Sequence, residues 1–168
     1  MDRVAVALGS NVGDRRAHLD YAVSALRALF GHVTVSRYYD TVPVGGSGPQ
    51  AMFLNAAAVG ETALQPKALL DALFAIEQER GRERPYVNAP RTLDLDLILH
   101  GNVVLDEPGL VVPHPRFRER RFVLEPLAAV APDLRDPVSG KTVAELLAAA
   151  SSAADSGAAS PPPPETPL

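Results

Sequence analysis

Apolar and polar residues alternate with two different periods along this chain, and the changes of period mark out its elements. Arg3–Leu8 is a strongly apolar run that predicts a strand, broken at Gly9-Ser10-Asn11. Asp14 is a suitable helix cap, and Leu19, Ala22, Val23, Leu26 and Phe30 then recur at helical spacing until Gly31. Val33–Tyr39 is β-branched and aromatic and predicts a second strand. Pro43 to Pro49 is rich in Gly and Pro and predicts a loop. Phe53–Glu61 predicts a third strand. Pro66 fits the first turn of a second helix, along which Leu69, Leu70, Leu73, Ile76 and Glu77 run until Gly81.

Gly81–Pro90 is polar, holds two prolines and is expected to be a mobile loop. Thr92–Leu99 predicts a fourth strand, followed by a turn at Gly101-Asn102 and a short strand at Val103–Leu105. Leu110–Val112 is apolar, Pro113-His114-Pro115 forces a turn, and Phe122–Val130 is expected to be partly helical. Thr142-Val143-Ala144-Glu145 has the form of a capping box opening a last helix. The order β-α-β-β-α-β predicts an α+β, ferredoxin-like antiparallel sheet flanked by helices. One domain over residues 1–150 is expected, followed by an Ala/Ser/Pro-rich tail over 151–168 that cannot bury a core and is expected to be disordered.

Composition narrows the function classes. Apolar residues make up 46% and charged residues 21%, as in an ordinary soluble globule. No apolar run approaches the roughly 20 residues of a membrane span, and no secretory signal is expected. The chain has no cysteine, which excludes disulfides, thiolate zinc sites and thiol catalysis. A cytoplasmic location fits these features, and a monomer is expected. The net charge of −4 argues against a nucleic-acid partner. Its distribution matters more: eight of the 14 arginines fall in two clusters, Arg80, Arg82, Arg84 and Arg91, then Arg116, Arg118, Arg120 and Arg121. Guanidinium forks suit phosphate oxygens, so a small polyanionic ligand is indicated; solvated loop charge is the competing explanation.

The most informative stretch is Pro90-Arg91-Thr92-Leu93-Asp94-Leu95-Asp96-Leu97-Ile98-Leu99. On a strand, Leu93, Leu95, Leu97 and Leu99 point into a core, while Thr92, Asp94 and Asp96 share the other face. Residues two apart lie roughly 7 Å from each other. Two carboxylates that close repel unless something neutralises them. An all-oxygen pair suits Mg²⁺, which commonly takes one or two carboxylates and completes its shell with substrate phosphates. A solvated strand face would explain a bare Asp-x-Asp; Arg91 and the arginine-rich segment before it favour the metal.

Pro-Arg-Thr-Leu-Asp-Leu-Asp at 90–96 resembles the signature of the 6-hydroxymethyl-7,8-dihydropterin pyrophosphokinases of folate biosynthesis. Ala7-Leu8-Gly9-Ser10-Asn11, Phe53-Leu54-Asn55-Ala56-Ala57, Gly81-Arg82-Glu83-Arg84 and Val112-Pro113-His114 agree in order and spacing, and the resemblance runs from about Val4 to Pro137. It implies an enzyme that moves a pyrophosphoryl group from Mg-ATP to the pterin alcohol and releases AMP. It implies that Asp94 and Asp96 bind two Mg²⁺ ions and that Arg82, Arg84 and Arg91 contact the triphosphate. Glu77, His114 and Arg120 would contact ATP, the co-substrate. The pterin would lie between Phe53 and Phe122, with Asn55 reading its polar edge and Thr41 and Val44 adding contacts. Offset ring stacking and amide pairing make this chemically sensible.

The chain departs from the family pattern at Val87-Asn88-Ala89, where Arg-Trp-Gly is usual, and at Phe74, where Gln is frequent. These departures bear on contacts of the 81–91 segment, not on the aspartates. Two alternatives remain at this point: an inert pterin- or nucleotide-binding module, and another Mg-dependent phosphotransferase on the same scaffold.

Overall fold

A computed structural model describes residues 1–41, 52–81 and 92–156, with side chains up to Ser151. The expected loop at 43–49, all of the expected loop 81–90 except Gly81, and the expected tail 151–168 from residue 157 onward lie outside the described residues.

Strand β1 (Asp2–Ser10) is followed by helix α1 (Arg15–Leu29), β2 (Gly31–Val35), β3 (Tyr39–Thr41), β4 (Phe53–Thr62), helix α2 (Pro66–Gly81) and β5 (Asp94–His100). The main sheet runs in the order β2-β4-β1-β5, with β3 also paired to β4. All of these pairings are antiparallel. This is the expected ferredoxin-like arrangement: β4 inserts between β1 and β2, and β5 takes the far edge. A two-stranded hairpin of β6 (Leu105–Glu107) and β7 (Leu110–Val112) follows, then α3 (Arg121–Val130) and α4 (Val143–Ser156).

Two cores sandwich the sheet. On one face Val4, Val6, Leu8, Leu93, Leu95 and Leu97 pack against Leu19 and Leu26 of α1 and Leu69 and Leu73 of α2. On the other face Ala5, Ala57 and Val59 pack against Phe122, Leu124 and Leu127 of α3 and Val143 and Leu146 of α4. Ala5 and Ala57, in the middle of the sheet, are small, which lets α3 approach closely there.

Several boundaries differ from expectation for identifiable reasons. Alternation along β5 breaks after Leu97. Leu97 pairs with Val6 and Leu99 with Ala5, so Ile98 is a bulge. An extra residue shifts the side-chain parity, and Leu99 joins Ile98 in the second core rather than the leucines before it. The expected strand 33–39 is two short ones. Between them the Ser36 hydroxyl accepts from Ala57 N at 2.9 Å, in place of a backbone acceptor. The short strand expected at 103–105 lies at 105–107, and α4 continues to Ser156, beyond the expected domain end at 150.

The local caps are as expected. Asp14 Oδ1 accepts from Ala17 N at 3.1 Å. Glu145 N donates to Thr142 Oγ1 at 3.1 Å while Thr142 N donates to Glu145 Oε1 at 2.9 Å. Such reciprocal caps contribute about 1 kcal/mol per helix start.

Candidate active site

The site is built on a row of residues across three strands. Gly9 of β1 pairs with Asn55 of β4 on one side and with Asp94 of β5 on the other. Two residues along, Ala7 pairs with Ala57 and with Asp96. Directly paired residues share a sheet face, so Asn55, Asp94 and Asp96 emerge together, with only Gly9 and Ala7 between them. Phe122 and Val123, in the first turn of α3, cover the row, and a narrow cleft remains whose lining includes Asn55, Asp94, Asp96 and Phe122.

Each wall is held in place. Asn55 is buried, and its Nδ2 donates to the hydroxyl of Thr41, itself buried. That bond fixes the orientation of the amide. Phe53 stands two residues before Asn55 on the same face of β4, half-buried, but it does not line the cleft. Arg120 lies with its guanidinium 5.6 Å from the Phe122 ring centroid, close enough for a cation–π contact.

A second cavity opens around the outer edge of β5. Leu70 of α2, Leu95 and Leu97 of β5, and Leu110 and Val112 of β7 line it, together with Asp96 and His114. It encloses about 600 Å³, counting the part open to solvent. Asp96 therefore borders both cavities. Leu70, Leu110 and Val112 carry no sequence signal for this role, because cavity leucines and valines read like any others in a core.

His114 follows the cis Val112–Pro113 peptide. Its backbone N donates to Ile98 O at 2.9 Å, which ties it to the outer edge of β5. Its Nδ1 accepts from Arg116 N at 3.1 Å. Burial pushes the imidazole pKa down to about 4, and the positive charges of Arg120 and Arg116 push the same way, against Asp94. His114 is thus neutral at pH 7, with Nδ1 as acceptor and the proton on Nε2, a donor available to an anion. Glu77 of α2 reaches the same strand edge, where its Oε2 accepts from Leu95 N at 2.7 Å.

The structure thus gathers Asn55, Asp94, Asp96 and Phe122 in one cleft and His114 with Asp96 in a second. Val44, Arg82, Arg84 and Arg91 lie outside the described residues. No cluster of three or more His, Asp or Glu with metal-ligand geometry occurs among the described residues. A cation at Asp94 and Asp96 would therefore draw the rest of its shell from phosphate oxygens and water, a donor set that fits Mg²⁺.

Residues 5–132 match the family model of the 7,8-dihydro-6-hydroxymethylpterin-pyrophosphokinases (HPPK). The chain belongs to this family. It is 48% identical over 150 residues to the 2-amino-4-hydroxy-6-hydroxymethyldihydropteridine pyrophosphokinase of Pseudomonas aeruginosa, across 88% of this chain and 91% of the relative. It is 43% identical over 143 residues to the enzyme of the same name from Bacillus subtilis, across 83% and 85%. Among solved structures, the wild-type HPPK-DHPS of Plasmodium falciparum superposes with a TM-score of 0.75 at 14% identity. That match covers 95% of this chain but 46% of the larger one, and at this identity it speaks for the fold alone. Of the described residues with an expected role, Asn55, Asp94, Asp96 and Phe122 line the cleft, Glu77 and His114 bond to β5, Thr41 bonds to Asn55, Arg120 lies over Phe122, and Phe53 stands outside the cleft.

Proposed function

We propose that Asp94 and Asp96 hold two Mg²⁺ ions where a pterin cleft meets a nucleotide cavity, and that this junction is where the pyrophosphoryl group crosses. Membership of the HPPK family makes the reaction a pyrophosphoryl transfer of folate biosynthesis, with ATP as co-substrate. The observation that carries the site-level reading is that Asp96 borders both cavities.

In this reading the pterin ring lies in the cleft against Phe122, with the Asn55 amide pairing to its polar edge. Phe53 is the second ring only if it moves toward the cleft, since it does not line it. The nucleobase occupies the apolar cavity of Leu70, Leu97, Leu110 and Val112, and the phosphates run past Asp96. There His114 donates from Nε2, and Arg120 adds positive charge. Arg82, Arg84 and Arg91 complete the triphosphate contacts. Bound Mg²⁺ would offset the charge of the phosphates and of the attacking oxygen.

The pterin hydroxymethyl oxygen forms a bond to the β-phosphorus, the bond from that phosphorus to the α–β bridging oxygen breaks, and AMP leaves. The hydroxyl proton passes to solvent. Holding both reactants in line supplies much of the acceleration in such transfers, so the protein's task is positioning and charge placement. Among the described residues no helix is long and apolar enough to cross a membrane. The site is drawn from one chain, and we take the enzyme as a cytoplasmic monomer.

The deciding experiment incubates the chain with Mg-ATP, with and without 6-hydroxymethyl-7,8-dihydropterin. AMP released only when the pterin is present is the expected result. ADP as product would point to another phosphotransferase, and binding without turnover to an inert module.

A further inference from the structure

Among the described residues β5 pairs only with β1, so its outer edge carries backbone groups that no described strand satisfies. One of them is the N–H of Leu95, in the peptide that joins Asp94 to Leu95. Glu77 Oε2 accepts it at 2.7 Å. Asp94 and Asp96 flank Leu95, so rotation of this one peptide would swing one carboxylate relative to the other. A second tie lies just upstream: Thr92 Oγ1 donates to Arg80 O at 3.1 Å. Glu77 and Arg80 are three residues apart on α2, so a single helical turn grips the chain on both sides of Asp94.

That turn is itself anchored. Arg80 Nε donates to His18 Nδ1 of α1 at 2.8 Å, and its guanidinium lies 5.1 Å from the Tyr21 ring centroid. The close approach also depends on Gly81, where an added Cβ would come within 2.9 Å of Thr92 Oγ1. Attachment of α2 to the sheet does not call for these bonds, because buried Leu69, Leu73 and Ile76 already supply an apolar face.

We propose that Glu77 and Thr92 are positioning residues, which orient the Asp94 and Asp96 carboxylates by fixing the backbone between and before them. The proposal rests on the reading that these aspartates hold the metal. A misplacement of about 1 Å in such a pair is enough to lower a rate by orders of magnitude.

The test compares Glu77→Ala, Glu77→Gln, Thr92→Val and Thr92→Ser in the full chain. It measures kcat, KM for ATP, Mn²⁺ affinity with an ATP analogue present, and hydrogen exchange at the Leu95 amide. Glu77→Ala is expected to lower kcat about tenfold or more, weaken Mn²⁺ binding and speed Leu95 exchange, with KM for ATP within about twofold. Glu77→Gln keeps an acceptor and should recover most of each loss. Thr92→Val should lower kcat and Mn²⁺ affinity in the same direction, and Thr92→Ser should restore them. Three outcomes overturn the proposal: Glu77→Ala with wild-type kcat and Mn²⁺ affinity, a defect confined to KM for ATP, or Glu77→Gln as impaired as Glu77→Ala. If Glu77→Ala does not fold, the Thr92 pair decides alone, and equal behaviour of the two Thr92 variants overturns it. Absence of AMP release by the wild-type chain would sink the functional reading instead, while Mn²⁺ affinity and Leu95 exchange would still test the positioning.

Discussion

Asn55 and Asp94 face each other across Gly9, each paired with it in the sheet. A side chain at position 9 would rise from the same face, between the two. Gly9→Val should therefore fill the cleft floor and raise KM for the pterin roughly tenfold or more, an effect that a steric penalty of about 1.4 kcal/mol is enough to produce. KM for ATP should change far less, because Gly9 does not line the second cavity. Steady-state kinetics with each substrate varied in turn check this; equal effects on both constants would contradict the assignment of the cleft.

Asp96 is half-buried and borders both cavities. Asp96→Ala should cut AMP release by about a hundredfold or more, the scale on which loss of one preorganised charge acts in a transition state. The melting temperature should move little, since the side chain lies outside both apolar cores. Full turnover in that variant would remove Asp96 from the site.

Asp136 is fully buried and gathers the turn before α4. Arg118 donates to it through Nε at 2.5 Å and Nη2 at 3.0 Å, and Ser139 Oγ and Val138 N donate at 2.7 and 3.0 Å. Burial alone would raise its pKa, but these donors together hold it at about 2. Asp136→Ala should cost about 3 kcal/mol, near the lower end for breaking a buried pair because Arg118 is partly exposed, and lower Tm by roughly 6–12 °C in a chain of this size. The sign with pH follows from a folded pKa below the ordinary 3.8. The carboxylate's contribution is complete above about pH 4 and is lost as pH falls toward 2. The Tm gap between wild type and variant should therefore close over that window in thermal melts.

His114 has the opposite consequence, because it is a base whose folded pKa, about 4, lies below its ordinary 6.5. Between these values the unfolded chain takes up a proton at this site and the folded chain does not. The folded state therefore loses stability as pH falls from about 6.5 to about 4, with no such penalty at pH 7 and above. Urea denaturation of wild type and His114→Asn should diverge in slope against pH across that interval, the variant being flatter. Parallel slopes would show that the imidazole titrates normally.

Much of this was legible in the chain itself, wherever the physics is local. The Asp14 cap and the Thr142–Glu145 box depend on bonds three residues apart, and both form as the spacing predicts. The strict Leu/Asp alternation from 93 to 97 placed the leucines in a core and the aspartates on the opposite face, and the resemblance of that stretch identified the family. Alternation misled at Leu99, because the bulge at Ile98 arises in pairing with β1, a strand about ninety residues earlier. The failure at Val33–Tyr39 has the same kind of cause: the Ser36 hydroxyl, in place of a backbone carbonyl, accepts from Ala57 N of a strand about twenty residues later.

By itself, then, the sequence determined which side of each strand faces a core, where helices begin, and which acidic, aromatic and amide residues could serve a phosphoryl-transfer site. It did so because period, capping and charge pairing act within a few residues. Only the tertiary structure decided that Asn55, Gly9 and Asp94 stand in one row, that Leu70, Leu110 and Val112 of the first core also line a cavity, and that Glu77 and His114 bond to the strand carrying the aspartates. Those relationships depend on sheet register and on the position of β5 at the edge of the described sheet, and neither property exists until distant segments of the chain have paired.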